Sequence, residues 1–181
     1  MVLGMRLFGG GPVAELKVDS YESLKSETLE AQSSMDTMIE RCQPDVPSVL
    51  QILSIGRASS SLVKKLQSLS DFTQKLTIKP LPVQEDANDY LLVLKSVRDK
   101  AEVIVTRMNT LYAPMEARGA LKYVRADIQS INTSMRSIIN EMKSVFPEQF
   151  HTEVGTIVED ISKALDQLLA KYGIEESEKQ E

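Results

Sequence analysis

Apolar residues recur along most of the chain at alternating steps of four and three positions. The two longest stripes are Tyr90, Leu94, Val97, Ala101, Ile104, Met108, Leu111 and Leu121, Val124, Ile128, Ile131, Met135, Ile138, Met142, Val145. Shorter stripes begin at Tyr21, Leu62 and Val154. Steps of four and three place side chains on one face of a helix, so stripes that persist over several heptads predict long helices packed at shallow angles.

Prolines divide these stripes. Proline lacks a backbone donor and disfavours helix in the preceding residue, so each marks a boundary or a kink. With breaks at Pro44 and Pro47, Pro80 and Pro82, Pro114 and Pro147, the pattern predicts helices near 14–42, 47–77, 86–113, 115–146 and 148–172. The predicted fold class is all-α: an elongated bundle of about five helices with a long helical hairpin and coiled-coil-like packing.

The prediction divides the chain into three parts. A flexible N-terminal segment covers 1–13, a helical domain covers 14–172, and an acidic tail covers 173–181. With 181 residues, of which 42% are hydrophobic and 26% charged, the chain has the composition of one soluble domain. A single cysteine excludes an intramolecular disulfide and favours a reducing, cytoplasmic setting.

The residues of the sequence predict a protein that is not an enzyme. The "GGG" run lacks the Lys and Ser/Thr of a phosphate-binding loop. One histidine and one cysteine cannot complete a structural zinc site, and we interpret His151 as a surface side chain and Cys42 as an unreactive thiol. No aromatic platform accompanies the basic residues, which argues against nucleic acid. We therefore expect no catalytic residue, cofactor, metal or small-molecule substrate.

Charge is unevenly distributed along the chain. Residues 91–146 carry nine basic and five acidic side chains, whereas residues 147–181 carry three basic and nine acidic ones. A basic segment followed by an acidic one allows the tail to fold back on the body. Solvated helix faces with exposed salt bridges explain the same pattern, as does a surface for acidic helices or anionic lipid headgroups.

The opening "MVLGMRLFGGGP" is a candidate membrane-binding element. Met5, Leu7 and Phe8 would act as a small hydrophobic wedge, Arg6 would contact lipid headgroups, and the three glycines would act as a hinge. The alternative is a disordered start with an upstream methionine.

The stretch "SINTSMRSIINEMKSVFPEQFHTEVGTIVEDISKAL", residues 130–165, resembles the third and fourth helices of the archaeal cell-division type of the ESCRT-III family. "AEVIVTRMNTLYAPMEARGALKYV" is similar to the end of that family's long second helix, and "MRLFGGGP" to its N-terminal segment. The resemblance implies a non-enzymatic subunit that forms homo- or hetero-polymeric filaments on anionic membranes and acts in scission, cell division or vesicle formation. It also implies an AAA ATPase as a partner and a peripherally membrane-associated, cytoplasmic location.

Two groups of residues take roles from this resemblance. The basic side chains that would meet an acidic face of the next subunit are Arg98, Lys100, Arg107, Arg118, Lys122 and Arg125. The residues that resemble the motif for the ATPase partner are Ile161, Leu165, Leu168 and Lys171, although Ala164 stands where an arginine is expected. The alternative for this second group is packing against the bundle.

Two other interpretations stay open. The first is a helical-bundle adaptor or scaffold subunit of a soluble complex that never touches lipid. The second is the membrane-stress family with long coiled-coil hairpins, which shares the membrane prediction.

Overall fold

A computed structural model describes residues 20–175, and all regular structure within that range is helical. The helices are α1 (Tyr21–Arg41), α2 (Val49–Lys75), α3 (Gln84–Ala117), α4 (Leu121–Val145) and α5 (His151–Tyr172). One 3-10 turn, Glu148–Phe150, leads into α5. The predicted all-α bundle of about five helices is confirmed. The N-terminal segment 1–13 and positions 176–181 of the acidic tail lie outside the described residues.

Serine side chains cap the first two helices. Ser20 Oγ accepts a hydrogen bond from the backbone N–H of Ser23 and so begins α1. Ser48 and Gln51 form a reciprocal capping box at the start of α2. Such caps satisfy backbone donors that have no partner inside the helix, which explains why α2 begins directly after the loop that contains Pro44 and Pro47.

The break predicted at Pro114 is wrong, because α3 continues through this residue to Ala117. Pro114 removes a single intrahelical donor, the one that would bond the carbonyl of Thr110. Thr110 is exposed and the helix ends one turn later, so water can satisfy that carbonyl at little cost. With 34 residues, α3 is about 51 Å long at a rise of 1.5 Å per residue.

The five helices close into a ring in the order α1, α2, α4, α5, α3 and back to α1. α1 and α2 form an antiparallel hairpin, in which Lys65 pairs with Glu30. α2 and α4 run parallel, since Ser59 contacts Asp127 and Ser70 contacts Ser137. Consecutive helices α3 and α4 share little surface, and α5 packs against both.

Methionine fills much of the interior. All six methionines of the described chain are buried, namely Met35, Met38, Met108, Met115, Met135 and Met142. Around them lie the leucines, isoleucines and valines of the predicted stripes, with Leu121 and Tyr21 only partly buried. Flexible, unbranched thioether side chains fill irregular gaps between helices. Nearly every residue of the predicted stripes is therefore in the core, which also contains residues outside the stripes, such as Ile55, Phe146 and Tyr172.

Candidate functional site

A surface groove of about 460 Å³ runs along the outer side of α2, where α4 approaches it. The residues that line it are Ile52, Leu53, Gly56, Arg57, Ser60, Ser61, Lys64 and Tyr123. Tyr123 comes from α4 and all the others come from α2. The groove is thus apolar near the start of α2, and cationic side chains border it at its middle, Arg57, and at its far end, Lys64.

The groove exists because α2 carries apolar residues on two faces near its start. Ile52 and Ile55 point into the core, whereas Leu50 and Leu53 remain exposed on the other side of the helix. Gly56 keeps the groove open, since a Cβ built at this position meets no atom within 4 Å. Glycine in a helix interior is destabilising relative to alanine by about 0.5–1 kcal/mol, so the fold itself gains nothing from it.

Two cations border the groove. Arg57 and Lys64 lie two helical turns apart, about 10 Å along the axis, and neither forms an ion pair within residues 20–175. On α4, Lys122 Nζ lies 5.1 Å from the ring centroid of Tyr123 and adds a third positive charge nearby. An anion at this site would therefore meet uncompensated positive charge.

One carboxylate adjoins the groove and joins its two walls. Asp127 of α4 accepts hydrogen bonds from Ser59 at 2.5 Å and from Ser60 at 2.9 Å. These hydroxyls hold α2 against α4 and disperse the charge of the carboxylate. The local balance remains positive, with three cations facing one paired anion.

Beyond the groove, exposed apolar residues continue into the α1–α2 loop. Nine large apolar side chains are exposed among the described residues, and five of them gather here: Val46, Val49, Leu50, Leu53 and Tyr123. The other four are distributed over α1, α3 and the residue before α3. Single exposed apolar residues are ordinary, whereas a gathered set marks a surface that binds something.

The six predicted subunit-interaction residues do not form one face. Arg98 lies beside Asp99 and Asp160, and Lys100 pairs with Asp36 of α1, so both are engaged within the chain. Arg107 lies close enough to Cys42 for its positive charge to lower the pKa of that thiol, against the larger effect of burial. Arg125 lies beside Tyr112 of α3.

The remaining two subunit-interaction residues lie at the end of the bundle that carries the groove. The guanidinium of Arg118 donates a hydrogen bond to the carbonyl of Pro47, which brings the α3–α4 turn against the α1–α2 loop. Lys122 lies over Tyr123 at the groove wall. These two, and not the set of six, belong to the candidate site.

The residues predicted to bind an ATPase partner are mostly inside the bundle. Ile161, Leu165 and Leu168 are buried in the core, as the packing alternative expects. Lys171 is exposed and its Nζ lies 5.1 Å from the Tyr112 ring centroid. A partner could reach the three apolar residues only after α5 left the bundle. The membrane-binding candidates Met5, Arg6, Leu7 and Phe8 lie outside the described residues.

Cys42 and His151 serve structural roles. Burial raises the pKa of the Cys42 thiol to about 12, and its Sγ lies 3.7 Å from Met108 Sδ, an environment that keeps a thiol protonated and unreactive. His151 is half-buried and its Nε2 lies 2.9 Å from the Phe146 carbonyl, where it links the start of α5 to the end of α4. It is therefore less exposed than the sequence predicted.

Sequence reasoning missed the groove entirely. The available signal was a second set of positions on α2 with helical spacing, Leu50, Leu53, Arg57 and Lys64, outside the stripe that feeds the core. Gly56, a glycine inside a helical pattern, was the other signal, because such glycines usually have a packing or functional reason. Tyr123 could not be added without knowing that α2 and α4 are neighbours.

The fold and groove define an all-α helical-bundle protein with a partly apolar, cation-bordered surface site. No protein-family model and no curated protein matches the chain. Among solved structures, the chain is similar to ligand binding domain 1 of the Penicillium marneffei MP1 protein, solved in complex with arachidonic acids. The TM-score is 0.72 at 10% sequence identity, over 86% of this chain and 100% of that one. At this identity the similarity shows the fold.

Proposed function

We propose that this chain binds an amphiphile with an acyl chain and an anionic headgroup, a fatty acid in the simplest case, in the groove between α2 and α4. The observation that carries the proposal is the combination of an apolar floor with two cations, Arg57 and Lys64, that form no ion pair within residues 20–175. The sequence led to the expectation of no small-molecule substrate, and this proposal adds a small-molecule ligand.

The apolar part of the groove suits an acyl chain. Its volume of about 460 Å³ falls within the roughly 300–1,000 Å³ of small-molecule sites. Leu53 and Tyr123 are about half exposed or more, so a hydrocarbon chain laid against them removes apolar surface from water on both partners. Each buried methylene contributes about 0.8 kcal/mol, before the costs of ordering the ligand.

The cationic part suits a carboxylate or phosphate. Arg57 presents a planar guanidinium whose donors match the two oxygens of a carboxylate, and Lys64 adds a point charge two turns further on. The Ser61 hydroxyl between them is a further donor. A headgroup placed here leaves the tail to run over Gly56 toward Leu53.

The similar solved structure indicates which ligand to test first. Its title describes a ligand binding domain complexed with arachidonic acids. Because 10% identity carries over the fold and not the site, the proposal depends on the groove of this chain and uses the neighbour only to choose the first ligand to test.

The test is binding of a fluorescent fatty acid, dansyl-undecanoic acid, to the full chain, followed by displacement with arachidonic acid. Gly56→Leu fills the groove without meeting another atom at its Cβ, and we expect it to abolish saturable binding. Gly56→Ala is the matched control, because it makes the same backbone change and leaves most of the groove empty. Its affinity should stay within about twofold of wild type.

The cations provide an independent arm. Arg57→Gln and Lys64→Gln should each weaken binding about tenfold, since hydrogen bonds to charged groups contribute about 1.5–3 kcal/mol. Lys75→Gln, at the exposed far end of the same helix, should have no effect. Binding that is indifferent to Gly56→Leu and to both cation substitutions would place the ligand elsewhere and overturn the proposal.

The membrane-remodelling and adaptor functions predicted from the sequence stay predictions. Two of the six basic residues in the polymer hypothesis, Arg98 and Lys100, already pair with carboxylates of the same chain. A polymer that used them would have to break these contacts first. Negative-stain microscopy of a 1–147 truncation with anionic vesicles tests this hypothesis separately, since filaments would favour it.

A further inference from the structure

We infer that the α1–α2 loop and the first turns of α2 form a docking surface for anionic lipid membranes. We define this docking patch as Val46, Val49, Leu50 and Leu53. The inference goes beyond ligand binding in the groove and does not require it, because three of the four residues, Val46, Val49 and Leu50, do not line the groove.

The docking patch has the geometry of a membrane-docking element. Leu50 is 78% exposed and Val46 is 71% exposed, values that exceed those of every other large apolar residue in the described chain. All four side chains come from one loop and the helix turns that follow it, so they project from the same end of the bundle. Insertion of such side chains into the boundary between headgroups and acyl chains buries them without any change in the fold.

The charges around the docking patch match an anionic surface. The Arg118 guanidinium bonds the carbonyl of Pro47, Arg57 follows Leu53 by one turn, and Lys122 lies over the neighbouring Tyr123. None of these three cations pairs with a carboxylate within residues 20–175.

Carboxylates also lie near these cations. Asp45 precedes the docking patch, Glu116 lies two positions before Arg118 and accepts a hydrogen bond from Tyr112, and Asp127 is engaged by two serine hydroxyls. Cations that pair with no carboxylate within residues 20–175, placed beside exposed apolar side chains, distinguish a lipid surface from a purely apolar protein partner, since phosphatidylserine headgroups attract Lys and Arg near the bilayer.

Tyr123 adds a third matching feature. Its ring is 63% exposed at the groove wall, and tyrosine is enriched where one end of a side chain is apolar and the other is wet. Within residues 20–175 no helix has the length and apolar content to cross a bilayer, so contact through the docking patch would be peripheral.

The experiment is co-sedimentation of the full chain with vesicles of phosphatidylcholine alone or with 30% phosphatidylserine. Leu50→Ser is the test variant and Leu92→Ser the matched control, because Leu92 is a helix residue that is 63% exposed outside the docking patch. We expect wild type and Leu92→Ser to pellet equally with phosphatidylserine vesicles. Leu50→Ser should pellet about tenfold less, the loss expected for one exposed leucine that is no longer buried.

Four further arms separate the alternatives. Arg118→Gln combined with Lys122→Gln should reduce binding to phosphatidylserine vesicles, and high salt should do the same to wild type. Gly56→Leu should keep vesicle binding even where it abolishes fatty-acid binding, so failure of the groove proposal and failure of this one are distinguishable. Leu7→Asp with Phe8→Asp tests the N-terminal segment by itself.

Four results of the vesicle experiments would overturn the inference. These are no pelleting of wild type, equal pelleting with both vesicle types, equal pelleting of Leu50→Ser and Leu92→Ser, or loss only in the Leu7→Asp/Phe8→Asp variant. Light scattering on wild type and Leu50→Ser measures their oligomeric states and so tests whether the docking patch binds a second copy of the chain instead. A dimer that is lost in Leu50→Ser would make the docking patch an interface between two copies of the chain and would also refute membrane docking.

Discussion

Replacing Gly56 and Gly173 by alanine should change stability in opposite directions. Gly56 lies inside α2, and a Cβ added there meets no atom within 4 Å. Alanine therefore gains the helix-propensity difference without a clash, about 0.5–1 kcal/mol in the free energy of unfolding. Gly173 ends α5 at φ +62°, the left-handed region, where an added Cβ introduces strain of about 1–2 kcal/mol.

The expected shifts are measurable in one experiment. For domains of about this size 1 kcal/mol corresponds to roughly 2–4 °C in Tm, so Gly56→Ala should raise Tm by about 1–4 °C and Gly173→Ala should lower it by about 2–8 °C. Circular dichroism at 222 nm during thermal and urea unfolding gives both values. The two sites are on different helices, so the double variant should show the sum of the two effects.

Two results would refute the reasoning: a destabilising Gly56→Ala or a neutral Gly173→Ala. If Gly56→Ala were destabilising, residue 56 would not lie on an open helix surface, and the groove described above would be absent in solution. If Gly173→Ala were neutral, α5 would not end in a left-handed cap. A stabilising Gly56→Ala would also bear on function. It would show that glycine at this position lowers stability relative to alanine, as expected for a residue that serves the groove and not the fold.

The remaining predictions concern the core. Tyr172→Phe removes the buried hydrogen bond from its hydroxyl to the Met108 carbonyl, 2.7 Å long, and should lower the free energy of unfolding by about 1 kcal/mol. Tyr112→Phe is the control, because the hydrogen bond of its hydroxyl is exposed, and it should change the free energy of unfolding little. Equal effects of the two variants would contradict the difference in burial. Phe146→Ala should lower it by about 3–5 kcal/mol in urea unfolding, because this buried ring stacks inside an aromatic cluster; a loss under 1 kcal/mol would contradict the packing. Cys42 should react with a disulfide reagent at pH 8 only after unfolding, and rapid reaction of the native protein would contradict its burial. Burial raises the pKa of the Cys42 thiol from its ordinary value of 9.0 to about 12, so the unfolded chain loses this proton first. Stability should therefore fall between pH 9 and 12, less so in Cys42→Ala.

Periodicity predicted the helices because the signal lies within each helix. The stripe from Tyr90 to Leu111 needs only the helical repeat, and every residue in it is buried. The same signal could not predict the ring order, since a stripe does not identify the helix that covers it. Lys100 shows the limit: its partner Asp36 is 64 positions away, so its charge looked available for another subunit.

The errors have physical causes that a sequence does not display. Proline weakens a helix, so the sequence predicts a break at Pro114, yet near the exposed end of α3 the lost hydrogen bond matters little. The candidate groove depends on the parallel contact of α2 with α4, which brings Tyr123 to Leu53 and Gly56. Nothing in the local pattern around Tyr123 indicates that contact.

Oxidation of the buried methionines can be used to detect transient opening of the bundle. Every methionine in residues 20–175 is shielded from solvent, so a mild peroxide can oxidise one only when the helices around it separate. Sulfoxide formation converts an apolar side chain into a polar one, and a bundle that has opened once would close less well afterwards. Mass spectrometry of timed peroxide exposure would therefore show which part of the ring opens first, and treatment with a sulfoxide reductase would show whether the bundle regains its packing once the oxidation is reversed.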